Sequence, residues 1–195
     1  MEKSWIKSYD KGVPEEIDTN EYNSLAQLMN KSLITFEGKA AFTCMGKTLS
    51  YADLDREAKA LANYFQNELK LVKGDRIAIM MPNLLQYPIA LVAAMRLGLV
   101  VVNVNPLYTP RELEHQLNDS EAKAIVVLEN FAKTLEVVLP RVKVEHVIIT
   151  SIGEMLGFPK GAIVNFVIRY VKKMVPAYSI PKFHLFKNCL EVGRG

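Results

Sequence analysis

Asn83, Asn105 and Tyr108 are the residues of this chain best suited by type and position to touch a ligand. Each is a polar side chain expected just beyond a buried strand. There an amide or phenol can exchange hydrogen bonds along a ligand passage, or can instead satisfy loop backbone. No catalytic constellation accompanies them. His115, His146 and His184 stand without Ser, Cys or carboxylate at triad-like spacing, so no catalytic residue is assigned. The two cysteines, Cys44 and Cys189, show neither Cys-x-x-Cys nor Cys/His ligand spacing. A disulfide framework and a metal site are therefore not expected, and a reduced cytosolic protein is. Gly153, Gly157 and Gly161 form two overlapping Gly-x-x-x-Gly spacings, but Pro159 and Lys160 inside them argue against a membrane dimer face. Neither nucleotide-binding glycine motif, Gly-x-Gly-x-x-Gly nor Gly-x-x-x-x-Gly-Lys-[Ser/Thr], occurs.

The elements that must position these residues follow from periodicity and caps. Ser24 precedes a one-faced pattern of Leu25, Leu28, Met29, Leu33 and Phe36, which predicts a packing helix. Residues 40–44 and 47–50 read as a hairpin turning at Met45-Gly46. Ser50 and Asp53 fit a capping box, opening a helix with Leu54, Ala58, Leu61, Ala62, Phe65 and Leu69 on one face. Lys73-Gly74-Asp75 is expected to end it.

Strands and helices then alternate: strand 76–81, helix 84–97, strand 100–104, helix 110–119, strand 124–128, helix 130–139, strand 146–150. Strands apolar throughout and joined by helices require crossovers, hence a parallel sheet covered on both faces. The fold class is α/β and doubly wound, with a short amino-terminal helix and β-hairpin. In such sheets ligands sit beyond the carboxyl ends of the strands, which singles out Pro82-Asn83 and Asn105-Pro106-Leu107-Tyr108. Asn105 is held extended by Pro106. Thr109, Pro110 and Glu112 form a proline-bearing N-cap whose local role is to shape the loop.

Half of the 195 residues are apolar and the formal net charge is +3, enough for a substantial core. Residues 77–95 are uncharged for nineteen positions, but Pro82, Asn83, Gln86 and Pro88 interrupt them, so a strand and a buried helix are expected rather than a membrane span. Residues 1–12 lack the apolar stretch and cleavage site of a secretory leader. Between Met155 and Leu190 there is no acidic residue but six basic ones, and of the chain's 24 basic residues the other 18 face 21 acidic ones. Basicity concentrated in one segment points to a partner surface.

Within that segment, residues 160–174 predict a basic amphipathic helix ended by Pro176. Ile163, Phe166, Val167, Tyr170, Val171 and Met174 share one face, and Asn165, Arg169, Lys172 and Lys173 the other. Such a helix can lie on a membrane interface through Lys160, Phe166, Arg169, Tyr170, Lys172 and Lys173, each cation adding about 1 kcal/mol on anionic lipid. It can equally pack on its own or a neighbouring domain. The chain thus divides into an α/β unit at 1–150 and a basic helical segment at 151–195. Nucleic-acid binding is not expected, because the cations are not interleaved with a stacking platform.

Three stretches carry a family resemblance. Leu49-Ser50-Tyr51-Ala52-Asp53-Leu54 is a common early motif of acyl-adenylate-forming enzymes. Pro82-Asn83-Leu84-Leu85-Gln86-Tyr87-Pro88 and residues 103–117, with Asn105-Pro106-Leu107-Tyr108-Thr109-Pro110-Arg111-Glu112-Leu113, resemble the amino-terminal portion of bacterial long-chain fatty acid:CoA ligases. The resemblance implies a whole enzyme that uses ATP, Mg²⁺ and CoA to convert a fatty acid through an acyl-adenylate. It implies a cytoplasmic location, peripheral on the inner membrane face, with an acyl or pantetheine passage for Asn83 and Tyr108 to line. The remainder of the enzyme and an anionic membrane surface are the implied partners, and a homodimer is left open. That family holds phosphates with a Ser/Thr/Gly-rich loop ending in Lys and uses a further Lys from a carboxy-terminal lid. Neither element occurs in residues 1–195, so this chain alone is expected to bind no cofactor tightly and to be inactive.

Overall fold

The structure, a computed structural model, describes residues 3–195; the first two residues of the amino-terminal stretch 1–12 lie outside them. Helix α1 (Leu25–Thr35) starts where the Ser24 hydroxyl accepts the Gln27 N–H. Strands β1 (Ala40–Cys44) and β2 (Lys47–Ser50) pair antiparallel. Their turn places Met45 and Gly46 at φ 50° and 74°, the left-handed pair that a two-residue hairpin requires.

Helix α2 (Tyr51–Asn67) opens with the full Ser50/Asp53 capping box. The hydrogen bonds from Ser50 hold the Asp53 carboxyl below its usual range. Its stripe of Leu54, Ala58, Leu61 and Phe65 is completely buried, each large side chain contributing about 1.5–3 kcal/mol. The helix stops well before Lys73-Gly74-Asp75, contrary to the sequence expectation. Lys70 turns left-handed at φ 56°, and Leu71 N–H reaches back to the Phe65 carbonyl. Gly74, at φ 92°, instead makes the turn into the sheet.

Strands β3 (Arg76–Met80), β4 (Val100–Asn103), β5 (Ala124–Leu128), β6 (His146–Thr150) and β7 (His184–Leu185) form one parallel sheet in the order β4-β3-β5-β6-β7. Successive residues of a strand point to opposite faces. Ile77, Ile79, Val126 and Ile148 therefore meet α2, α3 (Gln86–Arg96) and α7 (Phe186–Arg194). Ala78, Met80, Ile125 and Ile149 meet α4 (Pro110–Asp119) and α5 (Ala132–Val138). This two-sided burial explains why the strands are apolar throughout.

No element is predicted over residues 184–194 from sequence, yet they add β7 beside β6 and the helix α7 beside α2. A β carbon on Gly193 would overlap the Ala60 carbonyl, so only glycine allows this approach. The spacing of Phe186, Cys189, Leu190 and Gly193, all buried, was the signal available for α7.

Candidate functional site

The loops leaving β3, β4, β5 and β6 gather at the carboxyl edge of the sheet, and the three polar candidates divide between two of them. Asn83 is exposed at the end of β3. With Phe42, Cys44, Leu84 and Tyr87 it lines a mainly apolar cleft of about 390 Å³ between the hairpin and α3. The Cys44 thiol donates to the Asn83 carbonyl at 3.7 Å. Asn105 shapes the loop after β4: its side-chain oxygen accepts the Leu107 N–H at 3.0 Å and its carbonyl accepts the Tyr108 N–H at 3.1 Å. Tyr108 is half-buried against the core on the α4 side. The cleft at Asn83 is thus lined without Asn105 or Tyr108.

A denser polar cluster, not predicted from sequence, sits where β6 ends. Gln86, 1% exposed at the start of α3, donates to the Thr150 hydroxyl at 3.0 Å and the Ser151 carbonyl at 2.8 Å. Glu154 accepts the Ser151 N–H at 3.0 Å, the Thr150 hydroxyl, and the Lys187 N–H of α7 at 2.8 Å. Asn165 donates to the Ser151 hydroxyl at 2.9 Å and accepts the Gly153 N–H at 2.7 Å. These bonds tie α3, β6, α6 (Lys160–Phe166) and α7 together. Above them lies an open cleft of about 470 Å³. The polar pair Thr150-Ser151 at the end of a buried strand was the sequence signal.

Beside this cluster, α6 continues as a π turn through Val171 and ends at Lys173, φ 50°, before the expected Pro176. The predicted polar face is split: Asn165 and Arg169 are bonded beneath the helix, whereas Lys172 and Lys173 are exposed. Asn165 and Arg169 turn inward, while Ile163, Phe166, Tyr170, Val171 and Met174 are exposed. The reason is Glu129, 1% exposed at the end of β5. An unpaired carboxylate there is costly, and Arg169 Nε donates to both its oxygens at 3.2 and 2.9 Å. That pairing raises the Arg169 pKa. Gly161 also approaches Gly153 so closely that a β carbon on either would overlap the other's carbonyl, which accounts for their spacing. Arg169 therefore belongs to the inward face, and Lys160 is likewise turned onto the Met45 carbonyl of the hairpin.

The histidines divide as well. His115 lies with Thr109, Arg111 and Glu112 along α4. His146 and His184 neighbour each other on β6 and β7, ring centres 6.1 Å apart, and His184 Nδ1 meets the Tyr64 hydroxyl at 2.8 Å. Burial lowers the pKa of both histidines and pushes the Cys189 thiol and the Tyr64 hydroxyl up to about 12. Cys189 is therefore a buried neutral thiol, not an activated nucleophile.

A triphosphate needs unpaired cations and free backbone N–H groups converging on one point. At this edge Arg169 is committed to Glu129, Lys160 to Met45, the Gly153 N–H to Asn165 and the Lys187 N–H to Glu154. No group of three or more His, Cys, Asp or Glu able to hold a metal occurs among the described residues.

Comparison with known proteins gives a consistent picture. The family of AMP-binding enzymes matches residues 31–178. Long-chain-fatty-acid–CoA ligases of Yersinia pestis and Haemophilus influenzae are each 50% identical over 194 residues, all of this chain and 34% of theirs. The Bacillus subtilis ligase of that name is 31% identical over 97% of the chain. The chain thus spans about a third of the length of the curated relatives it matches. Among solved structures, an anthranilate CoA ligase shares the fold at TM-score 0.68 and 15% identity, over 87% of this chain and 28% of its own. A long-chain-fatty-acid-CoA ligase from Archaeoglobus fulgidus does so at TM-score 0.59 and 28% identity, over 65% and 27%.

Proposed function

Because this chain belongs to the AMP-binding enzyme family, we propose that it is the amino-terminal third of a long-chain fatty acid:CoA ligase. The observation that carries the reading is half-identity along its whole length to ligases of that name. The whole enzyme would join a fatty carboxylate to the α-phosphate of ATP, releasing pyrophosphate, and then let the CoA thiol displace AMP.

In this reading the chain supplies a rigid two-sided sheet and the entrances at its carboxyl edge. Asn83, and less directly Asn105 and Tyr108, would border the acyl or pantetheine passage. The phosphate cradle, Mg²⁺ support and CoA contacts would come from the rest of the protein. The whole enzyme would work in the cytoplasm at the inner membrane face. No described helix is long and apolar enough to cross a membrane, so attachment through this part would be peripheral.

Two measurements test the reading. The 195-residue chain with ATP, Mg²⁺ and oleate is expected to release no pyrophosphate, and sustained release would overturn the assignment of its chemistry to other segments. A chimera carrying this chain in place of the matching third of the Haemophilus influenzae ligase is expected to form oleoyl-CoA. A folded chimera that activates short or aromatic acids but not oleate would sink the long-chain reading.

A further inference from the structure

We propose that His146 and His184 form a proton-operated latch at the edge of the sheet: charging the pair releases β7 from β6 while the rest of the α/β unit stays folded. His146 opens β6 and His184 opens β7. Parallel register sets His184 beside Ile148, two positions on from His146, so both rings project to the α2 face. Their centres lie 6.1 Å apart. His146 Nδ1 is buried without a hydrogen-bond partner, and His184 Nδ1 meets the Tyr64 hydroxyl at 2.8 Å. A charged imidazole carries a proton on both nitrogens. In the charged pair, therefore, the His146 Nδ1 proton has no acceptor, the Tyr64 hydroxyl can only accept from His184, and two like charges face each other across the ladder.

The surroundings set the direction of the response. Burial is the largest influence on either ring and opposes its charge; Lys182 opposes it on both, and Lys123, itself paired with Asp75, on His146. Glu145 and the Leu69 backbone favour charge on His146, and Glu68 acts on Tyr64. Tyr64 of α2 and Cys189 of α7, both pushed up to about 12 by burial, stay neutral throughout. Once β7 is released, its histidine and His146 take up protons near the ordinary value of 6.5, so the latch is shut above that pH and opens progressively below it. Little else holds the strand. Strand β7 has two residues and one neighbour, and residues 172–183 ahead of it contain no helix or strand. Ile180 and Phe186, both buried, bound the released stretch to residues 181–185. Leu185 forms part of the wall of the open cleft over the polar cluster, so the latch links protonation at one edge of the sheet to the shape of the other. Nothing in it rests on the ligase reading.

Amide hydrogen exchange of the 195-residue chain, followed by NMR and corrected for its intrinsic pH dependence, tests the latch. From about pH 7 to about pH 5.5, amides of the β6–β7 ladder should exchange faster by about tenfold or more. They should also stay well ahead of amides in β3 and β5, which open only with the whole domain. His146→Gln with His184→Gln should flatten the ladder's pH dependence, each single variant should flatten it in part, and His115→Gln, exposed on α4, should leave it unchanged. Circular dichroism checks that the variants remain folded, and the wild-type profile alone can refute the latch. Ladder exchange that is independent of pH overturns the proposal, as does ladder exchange in step with β3 and β5, which would mean that no separate opening exists. A pH dependence that survives in the folded double variant belongs to other groups and overturns it too.

Discussion

Helices α2 and α6 are both amphipathic, and they bury opposite faces. On α2, Leu54, Ala58, Leu61 and Phe65 enter the core while Lys59 and Gln66 face out. On α6, Asn165 and Arg169 turn inward while Phe166 and Tyr170 face solvent. The difference lies in what each helix meets. Helix α2 lies mainly over apolar strand residues and α7, and its buried carboxylate, Glu57, is paired by Arg56 and by Arg194 of α7. Helix α6 lies over strand ends, where a buried carboxylate and unsatisfied loop backbone demand polar partners.

The contrast breaks most readily in the core. Phe65→Ala should lower stability by about 3–5 kcal/mol, read as a shift of the urea midpoint; a loss below about 1 kcal/mol would mean that α2 is not held by its apolar stripe. On α6, Arg169→Met should cost about 1–3 kcal/mol by leaving Glu129 unpaired. Adding Glu129→Gln should restore part of that loss in a double-mutant cycle, and additive effects would separate the two residues. Gly161→Ala should cost a comparable 1–2 kcal/mol, roughly, by forcing α6 away from Gly153; thermal unfolding at an unchanged midpoint would contradict the close approach.

Acid should produce a smaller loss at the seam between β6, β7 and α2. His146 and His184 have lowered pKa values from burial, with the Lys182 charge adding to the effect on both, Lys123 adding to that on His146, and Glu145 opposing it there. The unfolded chain then takes up protons first, near its value of 6.5, so stability is full above that pH and declines as pH falls toward the folded values. This window precedes titration of the lowered carboxylates Asp53 and Asp75. Urea midpoints between about pH 7 and 5 should decline, and less steeply in His184→Gln; an unchanged slope would discard the seam as the cause. The smallest effect is expected at Phe166→Ser, within about 0.5 kcal/mol. A clear loss of stability there would show that the outward face is packed after all.

Much of the sheet was legible in the sequence because β3, β5 and β6 are apolar without interruption, and only a strand covered on both sides tolerates that. The caps at Ser24, Ser50 and Thr109 were legible because their bonds span three residues. The end of α2 was not, since a left-handed Lys70 carries no signal comparable to Gly74. Strand β7 escapes sequence reading because two residues have no period, and the polar cluster around Gln86, Glu154 and Asn165 because its members lie up to 79 positions apart.

By itself the sequence determined most element types, the two-sided sheet, and the resemblance that the relatives bear out. Those depend on local propensity and short-range periodicity, which a single stretch of chain expresses. Only the tertiary structure decided which face of α6 is buried, what Arg169 and Lys160 hold, and that Asn83 lines a cleft apart from Asn105 and Tyr108. Such choices are made by partners distant along the chain. Glu129, buried at the end of β5, is one such partner, and it is Arg169, 40 positions away along the chain, that pairs it.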